Sequence, residues 1–230
     1  MRISVIIPTY RESKSIQRLI EYVQRFAQNG VAEIIVADAG SDDKTVEIAQ
    51  QAGALTVISP LKGRAAQMNY GASFATGDIL YFVHADVLPP ATFAQDIRRA
   101  LAEGYEIGRY YMKFDSNKWY LKINAFFTRF DFFVCYGGDQ TLFVDKRLFE
   151  KAGGFKSDML IMEDFEFTKR ARKIGRYKIL KKGALISARK YSHNSWWQVQ
   201  KANNKIVTMY RHGASQKEMV ETYKQMLKFE

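Results

Sequence analysis

The spacing of apolar positions changes several times along this chain, and each change marks an element. Ile3-Ser4-Val5-Ile6-Ile7 is a short β-rich run closed by Pro8 and predicts a first strand. Ile16, Leu19, Ile20, Val23 and Phe26 then recur at helical spacing, with Ser13 or Ser15 able to cap the helix and Asn29-Gly30 to end it. Apolar runs at 33–37 and 55–58 predict two more strands. Between them Val46, Ile48 and Ala49 mark a short helix that ends near Gly53. Residues 64–75 predict a helix rich in small side chains. Then comes Ile79-Leu80-Tyr81-Phe82-Val83, an unbroken apolar run leading into His84-Ala85-Asp86. That is the pattern of a strand buried on both faces that surfaces at its C-terminal end. Strands and helices alternate in this way over roughly 85 residues, the signature of a parallel, doubly wound α/β sheet.

Beyond Pro89-Pro90 the pattern is mixed. Residues 91–102 predict a helix and 106–114 alternate as a strand. Residues 118–134 predict an aromatic helix with Trp119, Ile123, Phe126, Phe127, Phe130 and Val134 on one broad face. Gly137-Gly138-Asp139-Gln140 breaks the chain before a strand at 141–144, and Gly153-Gly154-Phe155 is a turn. Glu163-Asp164 opens a helix that runs to Lys173 and stops at Gly175. Short strands follow near 177–180 and 184–186, then two amphipathic helices divided at Gly213. There is no internal repeat and no low-complexity linker, so residues 1–190 read as one domain and 191–230 as a helical C-terminal extension.

Composition narrows the function classes. An apolar content of 47% excludes a disordered chain. A single cysteine, Cys135, excludes an internal disulfide and fits a reducing, cytoplasmic setting. No signal peptide is evident before Ile3, and no apolar run is long enough to span a bilayer. The net charge of +11 is uneven: residues 1–145 carry 15 Lys+Arg against 16 Asp+Glu, and residues 146–230 carry 20 against 8. A basic C-terminal third points to an anionic partner, a nucleotide diphosphate or an anionic lipid surface. The basic residues are dispersed and no zinc-finger spacing occurs, which argues against nucleic acid. Neither Gly-x-Gly-x-x-Gly after the first strand nor Gly-x-x-x-x-Gly-Lys is present, so the dinucleotide-fold and P-loop readings fail at their own motifs.

The chemistry-bearing residues gather where strands end, and ligands of open α/β sheets bind outside those carboxyl ends. His84 and Asp86 tip the buried strand, where they could meet a metal ion or diphosphate, or simply open a polar loop. Asp38 ends the second strand and could cap the turn Ala39-Gly40-Ser41-Asp42-Asp43. Arg64 begins a helix, against the macrodipole, and its planar fork suits a phosphate or base. Glu163-Asp164 is an acidic first turn that the dipole would favour in any case.

In order along the chain, Ile6-Ile7-Pro8-Thr9-Tyr10-Arg11-Glu12, Val36-Ala37-Asp38-Ala39-Gly40-Ser41-Asp42-Asp43, Gly63-Arg64-Ala65-Ala66-Gln67-Met68-Asn69-Tyr70-Gly71-Ala72, His84-Ala85-Asp86, Gly153-Gly154-Phe155 and Met162-Glu163-Asp164 resemble the motifs of family 2 glycosyltransferases of the GT-A fold. The resemblance is to a short bacterial subgroup and spans about residues 3–190. It implies a GT-A-type, mostly parallel central sheet flanked by helices, with a nucleotide-binding half at about 1–90 and an acceptor half at about 91–190. It implies an inverting transfer from a UDP- or GDP-linked sugar, with Asp164 as general base and Glu163 or Glu166 orienting it. Pro8, Thr9, Tyr10, Glu12, Asp38, Arg64, Asn69 and Ala85 would line the donor nucleotide, and Gly138, Asp139 and Gln140 would lie on the acceptor side. Asp86, with His84, would hold Mn²⁺ or Mg²⁺. Most relatives read Asp-x-Asp, and here His84 replaces the first Asp, leaving substrate phosphates to complete the coordination. His193 is a further candidate ligand, or a packing residue beside Trp196-Trp197.

Two other readings carry distinct signatures. A nucleotidyltransferase would favour a glycine-rich loop after the first strand, which Thr9-Tyr10-Arg11-Glu12 lacks. A non-catalytic nucleotide-sugar-binding or membrane-adaptor protein would need no base, yet Glu163-Asp164 is retained. The aromatic helix and basic tail also suggest a protein peripheral to the inner face of the membrane, with a lipid-linked acceptor. The competing expectation is that the aromatic face covers the sheet or a second subunit in a homodimer.

Overall fold

A computed structural model describes residues 1–131 and 141–228. Its first half alternates β1 (Ile3–Thr9), α1 (Ile16–Phe26), β2 (Val31–Asp38), α2 (Thr45–Gln51), β3 (Leu55–Ile58), α3 (Arg64–Ser73), β4 (Ile79–Phe82), β5 (Val87–Leu88) and α4 (Phe93–Ala102). Then come β6 (Ile107–Phe114), α5 (Trp119–Phe127), β7 (Leu142–Asp145), α6 (Lys146–Lys151), α7 (Glu163–Ala171), β8 (Tyr177–Ile186), α8 (Lys190–His193), α9 (Trp196–Arg211) and α10 (Gln216–Met226).

The described strands form one sheet in the order β3-β2-β1-β4-β7-β6-β8-β5. Strands β3, β2, β1 and β4 pair in parallel, as the alternating first half requires. Strand β7 then runs antiparallel to both β4 and β6. The two reversals cancel, and because β8 is parallel to β6, the carboxyl ends of β1, β4, β6 and β8 all open on one edge of the sheet. Chain segments that follow those ends are therefore brought together however far apart they lie in sequence.

Burial explains the patterns. Every residue of β1 and of β4 is buried, which is why both read as unbroken apolar runs. Pro8 does not close β1; the strand continues to Thr9, pairing with Ala37 and Asp38 of β2. The last β1–β4 pair is Ile6 with Phe82, so Pro8 lies beyond the ladder on that side, where a missing N–H costs least. Small residues in α3 let it lie close to the sheet: a Cβ on Gly71 would stand 2.7 Å from Ile6 Cγ2. Ser15 occupies the N-cap position of α1 without capping it, and its hydroxyl donates instead to Glu12 Oε2 at 2.6 Å.

Further expectations change. The two short strands near 177–186 are one strand, because Lys181 and Lys182 are absorbed as an irregularity where the register passes from Tyr110–Leu180 to Tyr111–Gly183. The aromatic helix is shorter than its pattern: α5 ends at Phe127, only Leu121 within it is buried, and Val134 lies outside the described residues. Its broad aromatic face therefore does not cover the sheet. Strand β5 and helices α6 and α8 are too short to leave a periodic signal.

The C-terminal helices are packed into the body. Val199, Ala202 and Leu227 belong to the same apolar cluster as Val5, Tyr81 and Phe93. A satellite cluster joins Ile206, Val207, Met209 and Met219 of α9 and α10 to Met159, Met162 and Phe165. No described helix is long and apolar enough to cross a membrane.

Candidate active site

The edge where β1 and β4 end is hollowed into a cleft of about 250 Å³ lined by Pro8, Thr9, Tyr10, Glu12, Arg64, Gln67, His84, Ala85, Asp86 and Arg189. Seven of the residues expected from the motifs therefore meet in one place, along with His84. The loop that carries His84 and Asp86 is clamped on both sides. Val83 N donates to Ile6 O at 3.0 Å, and Val87 N closes back onto His84 O at 3.0 Å. Immediately afterwards Val87 pairs with Ile186 of β8. Asp86 thus sits on a short loop held by backbone hydrogen bonds on both sides.

The acidic pair reaches the same edge from α7. Met162 precedes it in a left-handed conformation (φ 68°), which turns the chain sharply into the helix. Glu163 and Asp164 are both buried. Glu163 Oε1 lies 3.7 Å from Arg64 Nη1, and Asp164 Oδ2 lies 4.0 Å from His84 Nε2. Glu166 does not orient Asp164. Arg170 grips its carboxylate at 2.7 and 3.0 Å, and Lys156 stands 3.2 Å away. Burial acts to raise the Glu166 carboxyl, but Arg170 and then Lys156 outweigh it and hold it below the ordinary value.

Two expected donor contacts lie outside the cleft lining. Asp38 is fully buried, and its oxygens accept from Thr9 Oγ1 at 2.8 Å, Ser41 N at 2.6 Å and Ser41 Oγ at 2.7 Å. Its carboxylate ties the ends of β1 and β2 to the following turn. Asn69 is spent in the same manner: it accepts from Phe155 N at 2.9 Å and donates to Phe155 O at 2.7 Å and Ser157 Oγ at 3.1 Å. Gly154 (φ 63°) makes room, since a Cβ there would stand 2.8 Å from Asn69 Oδ1. Gly138, Asp139 and Gln140 lie outside the described residues. His193 is exposed and does not line the cleft.

Two lining residues were not anticipated. Gln67 is buried and donates to Thr9 O at 2.7 Å and Ala37 O at 2.8 Å, cross-linking the two strand ends beneath the cleft. Arg189 follows β8, and its Nη2 stands 2.9 Å from Glu12 Oε1 and 3.4 Å from Asp86 Oδ2. The rule that strand ends carry ligands would have found it, had the direction of β8 been known.

Among the described residues no three His, Cys, Asp or Glu side chains converge as a metal site. The cleft offers one aspartate with an imidazole nearby. Such a donor set fits a cation that arrives with substrate phosphates and does not fit one caged by protein alone.

The chain is similar in sequence and fold to known proteins. The chain is 30% identical over 120 residues to a dolichol-phosphate mannosyltransferase of Pyrococcus furiosus, covering 49% of this chain and 34% of that one. It is 30% identical over 96 residues to a glucosyl-3-phosphoglycerate synthase of Mycolicibacterium smegmatis, covering 38% and 32%. It thus spans about a third of the length of these curated relatives. Among solved structures, a mannosyltransferase from Pyrobaculum calidifontis in complex with GDP-Man and Mn²⁺ superposes with a TM-score of 0.67 at 18% identity, over 98% of this chain and 69% of that one. S. aureus TarS 1-349 in complex with UDP-GlcNAc gives 0.67 at 17% identity, over 98% and 71%. The likeness to these structures confirms the GT-A-type α/β fold. The family description "Glycosyl transferase family 2" matches residues 4–157, more than half of the 230 residues and nearly all the motif-bearing segments that form the cleft, so the chain belongs to glycosyl transferase family 2.

Proposed function

We propose that this chain is an inverting glycosyltransferase that moves a sugar from a UDP- or GDP-linked donor to an acceptor hydroxyl. The observation that carries the reading is the convergence, at one edge of the sheet, of Thr9 at the end of β1, Arg64 at the start of α3 and Asp86 in the loop after β4 with the buried pair Glu163-Asp164. The acceptor oxygen attacks the anomeric carbon as the bond from that carbon to the diphosphate oxygen breaks. The acceptor proton passes to the Asp164 carboxylate, and the diphosphate leaves with the bonding pair. Glu163, beside Arg64, holds the guanidinium at the mouth of the cleft. A divalent cation, Mn²⁺ or Mg²⁺, held by Asp86 with His84 at the rim, would neutralise charge on the departing diphosphate. Burial of the acidic pair keeps bulk water from competing with the acceptor.

The test is thermal stabilisation by UDP, GDP and a panel of their sugars, with and without Mn²⁺. Nucleotide should stabilise the protein strongly only when the cation is present, and Asp86→Ala should remove that dependence. Unchanged cation dependence in Asp86→Ala would sink the assignment. His84→Asp should preserve or improve cation use.

The acceptor is presented at an anionic lipid surface. Trp119 is 70% and Trp197 75% exposed, and Ile123, Phe126, Phe127 and Phe130 are exposed between the charges of Lys118, Lys122 and Arg129. Tyr120 packs on Trp196, which packs on Trp197, so the patch is continuous from α5 to α9. Aromatic side chains within a basic rim suit the headgroup level of a bilayer. Co-sedimentation with phosphatidylserine vesicles should fall as salt rises. No pelleting at low salt, together with a concentration-dependent dimer, would assign the face to a second copy.

A further inference from the structure

The cleft already contains a cation. Arg189 leaves the end of β8 and lays one guanidinium across the two carboxylates that flank the cleft. Its Nη2 donates to Glu12 Oε1 at 2.9 Å and sits 3.4 Å from Asp86 Oδ2, while Nη1 reaches Glu12 Oε2 at 3.5 Å. Glu12 is steadied from the other side by Ser15 Oγ at 2.6 Å. Arg64, at the opposite wall, leans on Glu163. Both arginines of the cleft therefore rest on carboxylates, and Asp86, the one carboxylate of the His84-Ala85-Asp86 tip, has positive charge against it.

We infer that Arg189 is an internal counter-ion that keeps free divalent cations off Asp86 until a nucleotide diphosphate enters. This rests on the donor reading above. A cation coordinated by Asp86 would stand next to a guanidinium, and like charges at that distance repel. A diphosphate changes the balance, because its oxygens offer the guanidinium a bidentate partner and the cation further ligands. Arg189 half-exposed on the loop after β8 has room to make that transfer, and binding of cation and nucleotide becomes mutually dependent.

The alternative is a static tie, in which Arg189 merely fastens the loop after β8 to the loop before α1. Titration of MnCl₂ alone, followed by the electron paramagnetic resonance of free Mn²⁺, separates the two. Arg189→Ala should bind Mn²⁺ without nucleotide on the order of tenfold more tightly than wild type, within the usual range of coupling between sites. Arg189→Lys, which keeps the charge and loses the fork, should stay near wild type. The gain should vanish in the Arg189→Ala/Asp86→Ala double variant. With Mn²⁺ at saturation, Arg189→Ala should bind UDP or GDP about tenfold more weakly. Mn²⁺ affinity that is unchanged or reduced in Arg189→Ala, with or without a lower melting temperature, overturns the inference in favour of the static tie. If neither UDP nor GDP binds the wild type with Mn²⁺, the donor reading falls; a gain in bare Mn²⁺ affinity would still uphold the counter-ion.

Discussion

The turn after β2 and the turn before α7 serve the same edge of the sheet and are held by opposite means. After β2, polar residues hold one another within about 35 positions: Asp38 takes Thr9 and Ser41, Asp43 takes Ser13 and Thr45, and Thr45 Oγ1 accepts from Glu12 N at 2.8 Å. Before α7 the support is borrowed and largely apolar. Met159, Met162 and Phe165 pack on Ile206, Val207, Met209 and Met219, and Gln216 Oε1 accepts from Leu160 N at 2.9 Å and Ile161 N at 3.1 Å. The first turn is tied to the parallel strands that bear it, and the second rests on α9 and α10. The turn after β2 is thus held by its own neighbourhood, and the acidic pair leans on the C-terminal helices.

The largest effect should come from the carboxylate proposed as the base. Asp164→Asn removes the proposed base without touching its apolar support, so transfer should slow by on the order of 10²–10⁴ while melting temperature and nucleotide affinity hold. Intact turnover with a small loss of stability would make Asp164 an ordinary helix-dipole residue. Next, Met219→Ala should cost about 2–5 kcal/mol, as for other fully buried Met truncations, and lower turnover while leaving nucleotide affinity alone. Equal losses of turnover and nucleotide affinity would erase the distinction between the two turns. Thr9→Val takes one donor from the buried Asp38 carboxylate and should cost about 1.5–3 kcal/mol, with the damage read as weaker nucleotide binding.

The smallest effect is a pH dependence. Burial acts to raise the Asp43 carboxyl, but hydrogen bonds from Thr45 and Ser13 outweigh it and bring it from 3.8 to about 2. A carboxyl lowered on folding stabilises the fold fully above its unfolded value and loses that contribution as pH falls toward the folded one. The gap in melting temperature between wild type and Asp43→Asn should therefore narrow as pH is lowered from about 5 to about 3. A gap that stays constant over that range would mean that Asp43 does not titrate with the fold.

How much could be read in advance follows the same division. The first half was legible because strands buried on both faces leave unbroken apolar runs, and Asp86 could be placed at a strand end from one such run. The structural partners of Asp38 and Asn69 could not be read in advance, because Thr9 and Phe155 are 29 and 86 residues away. Arg189 was missed for the converse reason: a single arginine after a strand has no period, and its importance comes from β7 reversing the sheet twice. The aromatic helix was drawn too long because its apolar spacing persists beyond Phe127, and spacing alone does not say where a helix stops. Gln216 and Met219 gave no hint of their service to Glu163-Asp164, since sequence shows amphipathic helices without showing what they face.

The methionines beneath the acidic turn carry one more consequence. Met159, Met162, Met209 and Met219 are packed within one small cluster, and each is nine-tenths or more buried. Thioethers fill irregular space well, but peroxide converts them to polar sulfoxides that no longer suit an apolar site. Exposure to oxidant during transient opening of the α9–α10 pair would wedge the cluster apart and release Glu163-Asp164, leaving the turn after β2 untouched. Oxidation confined to this cluster is therefore expected to lower transfer more than nucleotide binding, and methionine sulfoxide reductase should restore the lost activity.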